Sequence, residues 1–257
     1  MFPILQIGSL AIPLPGLILL LGLWVGLEIS ERGARRINVR PDDLYNLVFT
    51  AFLGGIVGGR VAYIVRFAEG FMASPASVFS LNPGLLYPAG GLAVAFFAAF
   101  IFTQRKKLSW LTMLDGLAPL FAVFLTALAV ANLASGDGFG QASDLPWAME
   151  LWGARRHPSQ VYEIAAGLIV LAVVWPRVYS FGQPPAGVRF AQAAALAGLS
   201  RLILEAFRGD SATLPNGWRI AQIAAWLVLG ASLWGWRALQ KNGTPVNPGK
   251  IEGKRSL

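Results

Sequence analysis

Apolar residues run along this chain in long blocks, broken by short polar stretches that are mostly basic. Seven blocks stand out, at about 10–29, 45–67, 84–102, 111–134, 161–175, 190–207 and 218–236. Most of them reach the roughly 18–23 residues that a helix needs to cross hydrocarbon. Backbone left unpaired in lipid is too costly, so each block is expected to be helical. The pattern therefore predicts an all-α, polytopic membrane protein with seven transmembrane helices. The first block is not followed by a small-residue cleavage site, and it reads as a span rather than a removed signal peptide.

The polar interruptions give the spans a direction. Arg32, Arg35, Arg36, Arg40, Arg105, Lys106, Lys107, Arg177, Arg189, Arg237, Lys241, Lys250, Lys254 and Arg255 fall on one side of a seven-span layout. Only Arg155, Arg156, Arg208 and Arg219 fall on the other, a split of fourteen against four. Basic loops stay in the cytoplasm, so the N-terminus is expected outside and the C-terminus inside. Trp110, Trp147, Trp152, Trp218, Trp234 and Trp236 fit interfacial aromatic belts. Residues 1–240 read as one membrane domain. Residues 241–257, rich in Gly, Pro and Lys, read as a disordered basic cytoplasmic tail.

Composition agrees with the layout. The chain of 257 residues is 55% hydrophobic and only 13% charged, about half the charged share of a soluble domain. Its net charge of +8 is carried between the apolar blocks, where it reads as a topology signal rather than as a nucleic-acid surface. There is no Cys and a single His, which excludes disulfides, thiolate or multi-histidine metal sites and a cysteine nucleophile.

Ionisable groups within spans are expensive and usually functional. Arg60, Asn132, Gln160, Glu163, Arg201 and Glu205 all fall in the outer half of their spans, with Arg208 just beyond. Asp115, near the cytoplasmic start of span 4, is the exception. The spacing of Arg201, Glu205 and Arg208 (i, i+4, i+7) predicts one helix face. That face reads either as an interhelical salt bridge or as a cationic site for a phosphate, which arginine can hold bidentately. In the stretch Arg156 to Glu163, Pro158 suits a first helical turn, and His157 is a cap or a general base. The segment 135–156 is the one long outer loop and could cover the polar residues. Gly54, Gly55, Gly58 and Gly59 read equally as helix packing or as ligand access to backbone.

These residues resemble the bacterial prolipoprotein diacylglyceryl transferase family. The resemblance rests on Arg156-His157-Pro158-Ser159-Gln160-Val161-Tyr162-Glu163, on Gly58-Gly59-Arg60-Val61-Ala62-Tyr63, on Ser200 to Arg208 and on the opening Ile4-Leu5-Gln6-Ile7-Gly8. It implies a multi-pass protein of the bacterial cytoplasmic membrane. Such a protein moves the diacylglyceryl group of phosphatidylglycerol to the lipobox cysteine thiol of a prolipoprotein signal peptide, with no cofactor or metal. It implies Arg201, Glu205 and His157 as catalytic residues. It implies Arg60, Asn132, Asp137, Ser159, Gln160, Glu163 and Arg208 as substrate-binding residues. The chain departs from the family pattern at Ala89, where the family has histidine, and at Ala129, where it has arginine. Pro15 and Ala197 stand where it has tyrosines. Two alternatives therefore stand beside the transferase: a catalytically silent relative that binds anionic phospholipid or assists lipoprotein processing, and a small-solute transporter. A transporter would spread polar residues through both leaflets, whereas these gather in one.

Overall fold

The computed structural model describes residues 4–7, 10–80, 83–175 and 184–242. Each apolar block falls on a helix, and two short hairpins accompany them. The elements are β1 (Ile4–Ile7), β2 (Leu10–Pro13), α1 (Leu14–Ala34), α2 (Pro41–Arg66), α3 (Ala68–Ala73), α4 (Pro88–Arg105) and α5 (Trp110–Ser135). They continue with β3 (Met149–Leu151), β4 (Ala154–Arg156), α6 (Ser159–Val173), α7 (Val188–Leu204) and α8 (Ile220–Asn242). The start of the first block departs from expectation. Residues 10–13 form β2, antiparallel to β1, and the helix begins only at Leu14, with a proline in its first turn. Lys241 and Asn242 extend α8; the basic tail from residue 243 lies outside the described residues.

Among the described residues, five helical segments are long and apolar enough to cross a membrane: Leu14–Ile37, Pro41–Arg66, Pro88–Arg105, Trp110–Ser135 and Val188–Phe207. The expected seven is thus met in part. Helix α6 has 15 residues, about 22 Å of helix against a hydrocarbon core of about 30 Å. Helix α8 has 23 residues but carries Gln222 and Arg237 among its apolar positions. Leu20, Leu21, Trp24, Phe96, Phe97, Leu227 and Trp234 are exposed, an outward apolar surface that suits lipid and not water. The protein is a helical, multi-pass membrane protein.

The chain divides into two compact units, residues 39–113 and residues 1–38 with 114–257. In the first, α2 and α4 run antiparallel in close contact. A Cβ added at Gly58 would meet Val94, and one at Gly90 would meet Ala62, at 2.3 and 2.2 Å. These glycines therefore serve helix packing.

In the second unit, α1 lies against α5 in the same manner, with Gly22 on Ala127 and Gly26 on Leu120. Pro119 interrupts the hydrogen-bond ladder of α5. The Ser30 hydroxyl accepts the neighbouring Leu120 N–H at 3.0 Å, which satisfies a backbone group inside the apolar layer. Ala118, Ala122, Val170, Val174 and Ala193 form the core of α5, α6 and α7. Asp115 is buried and accepts the N–H groups of Gly187 and Phe190 at 2.7 and 2.8 Å. It caps the start of α7, which gives this buried carboxylate a structural task.

Candidate functional site

The C-terminal end of α7 meets the N-terminal end of α6, and ionisable residues collect at that junction. Glu163, one turn into α6, is the centre. Its Oε1 accepts a hydrogen bond from Arg201 Nη1 and another from Arg208 Nη1, each at 2.8 Å. Arg201 Nη2 lies 2.8 Å from Glu205 Oε2, the expected i, i+4 pair. Arg208 also grips Asp210 bidentately, at 2.9 and 2.8 Å. Burial works against the Arg208 guanidinium, but its hydrogen bonds to Asp210 and Glu163 outweigh this and raise its pKa, so it stays charged at any ordinary pH.

The predicted single helix face holds for Arg201 and Glu205 but not for Arg208. Helix α7 gives way to a 3-10 turn at Glu205–Phe207, and Arg208 follows in extended conformation. Its backbone forms a bridge with Gly140, and the Gly209 N–H bonds the Phe139 carbonyl at 2.8 Å. Arg219 stitches this bend, donating to the carbonyls of Glu205 and Arg208 and to the Ser211 hydroxyl. The sequence pattern does not mark Asp210 as part of this junction, and it marks Arg219 only as an outer basic residue. The only local signal was the charged pair Arg208 and Asp210 two residues apart, a spacing common in loops.

The segment that follows α5 is held between the two helices. Ser159 and Gln160, both buried, donate to the carbonyls of Gly138 and Asp137 at 2.6 and 2.9 Å. The Gly138 N–H bonds Asp210 at 3.0 Å. Gly138 has φ +66, and a Cβ there would sit 3.1 Å from Arg208 Nη2 and 3.3 Å from Asn132 Nδ2. The positive φ favours glycine, and an added methyl would press on both side chains by a few tenths of an ångström. The Asn132 and Arg208 side chains thus both approach Gly138. Asp137 is exposed, and its carboxylate accepts the hydroxyl of its own neighbour Ser135 at 2.7 Å.

His157 sits apart from the ion pairs. Its ring packs edge-on to Phe207 and Tyr162, with centroids 5.2 and 6.3 Å away, and its Nδ1 is buried without a hydrogen-bond partner among the described residues. Its backbone N–H bonds Gln141 at 3.0 Å. Arg60 belongs to the other unit. There its guanidinium donates to the carbonyls of Ser77, Val78 and Leu85, at 2.6–3.3 Å, and lies 5.7 Å from the Phe71 ring centroid. It clamps the loop that leads into α4.

Beside Arg201 and Glu163 lies a cavity of about 180 Å³ between α5, α6 and α7. Its other walls are apolar or small, and include Ala129 and Ala197. Both positions at which the chain departs from the resembled family in these helices thus face this one space. Leu125 and Leu128, each 41% exposed, form its rim. No group of three or more potential metal ligands occurs among the described residues.

The family model described as prolipoprotein diacylglyceryl transferase matches residues 3–237. Proteins named phosphatidylglycerol–prolipoprotein diacylglyceryl transferase are similar to this chain. That of Bordetella parapertussis is 33% identical over 183 residues, 66% of this chain and 69% of its own. That of Acaryochloris marina is 28% identical over 254 residues, 94% of this chain and 92% of its own. That of Aliivibrio salmonicida is 35% identical over 179 residues, 67% of this chain and 63% of its own.

Proposed function

The chain belongs to the prolipoprotein diacylglyceryl transferase family, and from that premise we propose that it transfers the diacylglyceryl group of phosphatidylglycerol to the lipobox cysteine thiol of a prolipoprotein. The observation that carries this reading is the Glu163-centred cluster of Arg201, Arg208 and Glu205 beside an apolar cavity. A polar edge against a hydrocarbon-lined space suits the glycerol end of a phospholipid. In the reaction the sulfur bonds the glyceryl carbon, the bond from that carbon to the phosphate oxygen breaks, and glycerol phosphate leaves carrying the thiol proton. Arg201, 37% exposed at its side chain, is the arginine placed to meet the phosphate as charge develops. Arg208 and Glu163 hold it in position. Ser159 and Gln160 hold the loop beside the site at Gly138 and at the Asp137 backbone carbonyl, and Asn132 approaches it at Gly138. Arg60 acts by holding its own loop, and His157 by packing against Phe207.

In this reading residues 1–240 form one seven-span domain of the bacterial cytoplasmic membrane, with the N-terminus outside and the site in the outer leaflet. The split of basic residues between loops supports that orientation. The test is purified full-length protein supplied with phosphatidylglycerol and a lipobox peptide. A thioether-linked diacylglyceryl peptide should form, and Arg201→Ala should abolish it.

A second reading has its own support. Both arginines of the cluster are already bound by carboxylates, and Ala129 and Ala197 bring no polar atom to the cavity. This fits a silent relative that binds phospholipid without transferring it. Lipid retained by a folded preparation that makes no product would select this reading. Product regained on Ala129→Arg with Ala89→His would trace the silence to those positions.

A further inference from the structure

The rim of the cavity presents one cation beside one anion. Among the described residues Glu163 accepts Arg201 and Arg208 through Oε1 alone, which leaves Oε2 for another donor. Arg201 donates one of its five N–H groups to Glu163 and is ion-paired with Glu205. Arg208 does not line the cavity, and its charge is met by Glu163 and Asp210. The remaining walls, among them Leu125, Leu128, Val170 and Leu204, carry no charge.

Such a rim does not select for a net negative headgroup. A phosphate can lie on the unused N–H groups of Arg201, but the adjacent carboxylate repels any further negative charge and attracts an ammonium. We propose that the cavity beside the Arg201–Glu163 pair admits a zwitterionic phospholipid, phosphate toward Arg201 and ammonium toward Glu163, at least as readily as phosphatidylglycerol. This rests on the reading that the cavity holds a phospholipid, and it widens the class of headgroup. The space suits the glycerol end and the first carbons of a chain, since an apolar cavity of about 150 Å³ takes a benzene-sized group. The rim leucines lie on α5, a helix apolar enough to face hydrocarbon.

The experiment is competition between phosphatidylethanolamine and phosphatidylglycerol of identical chains for the full-length protein in detergent, read by native mass spectrometry, with diacylglycerol as the control. Phosphatidylethanolamine should be retained at least equally. Ala129→Arg, which adds a cation to the cavity wall, should move the ratio toward phosphatidylglycerol by about threefold or more. Asp210→Asn, which removes one negative charge without filling the cavity, should move it the same way. Wild-type retention of phosphatidylglycerol more than about threefold above phosphatidylethanolamine overturns the proposal. So does a ratio that neither variant moves. Retention of neither phospholipid above diacylglycerol overturns it together with the lipid-site reading. A clear phosphatidylethanolamine preference without transfer product would uphold it and reject only the reaction.

Discussion

Glu163 is the residue on which the polar junction turns, because one oxygen serves two arginines. Glu163→Ala leaves both guanidinium groups short of a partner in a partly buried place and should destabilise the protein by about 2–3 kcal/mol. Thermal unfolding in a fixed detergent would measure it, and Glu163→Asp should recover part of the loss. Gly138→Ala would place a methyl against Arg208 and Asn132 at a positive φ, at a cost of about 1–2 kcal/mol. The sequence made Glu163, Arg201, Glu205, Arg208 and Asn132 legible, since polar groups are conspicuous in apolar blocks. It did not reveal Asp210 or Arg219. These lie in a loop among ordinary polar residues, and only the bend after Leu204 brings them inward. His157 and Arg60 were legible as unusual residues but not by task. Their surroundings come from segments far along the chain: Phe207 for the one, Ser77 to Leu85 for the other.

Among the helices, α5 shows how a break in regular structure is made tolerable. Pro119 disturbs its ladder, and Ser30 of α1 supplies an acceptor at that level. Ser30→Ala should destabilise the protein by about 1 kcal/mol, more than Ser30→Cys, whose sulfur can still accept weakly. Unfolding of the two variants side by side would show the order. Helix existence was readable throughout from hydrophobic block length. Helix ends were not. The first block begins as a strand because β1 offers it a partner, and α7 turns into a 3-10 helix where Arg208 is drawn to Glu163 and Asp210. Tertiary pairing decides such ends, and hydrophobicity carries no record of it.

For the whole molecule, the absence of cysteine makes the proposed topology simple to examine. Ser143→Cys should react with a membrane-impermeant maleimide added to intact spheroplasts, whereas Lys106→Cys should react only after the membrane is opened. Labelling of the second before the first would reverse the orientation. The cavity beside Arg201 and Glu163 is the proposed phospholipid site. The most direct measurement is photocrosslinking of full-length protein in its membrane with a phospholipid carrying a diazirine near the glycerol end of one chain, followed by peptide mapping. Adducts should fall on the helices that wall the cavity, at or next to Leu125, Leu128 and Leu204, and should be lost when Ala129→Trp and Ala197→Phe fill the space. Adducts spread over the outer faces of the helices, unchanged by the filling variants, would contradict it.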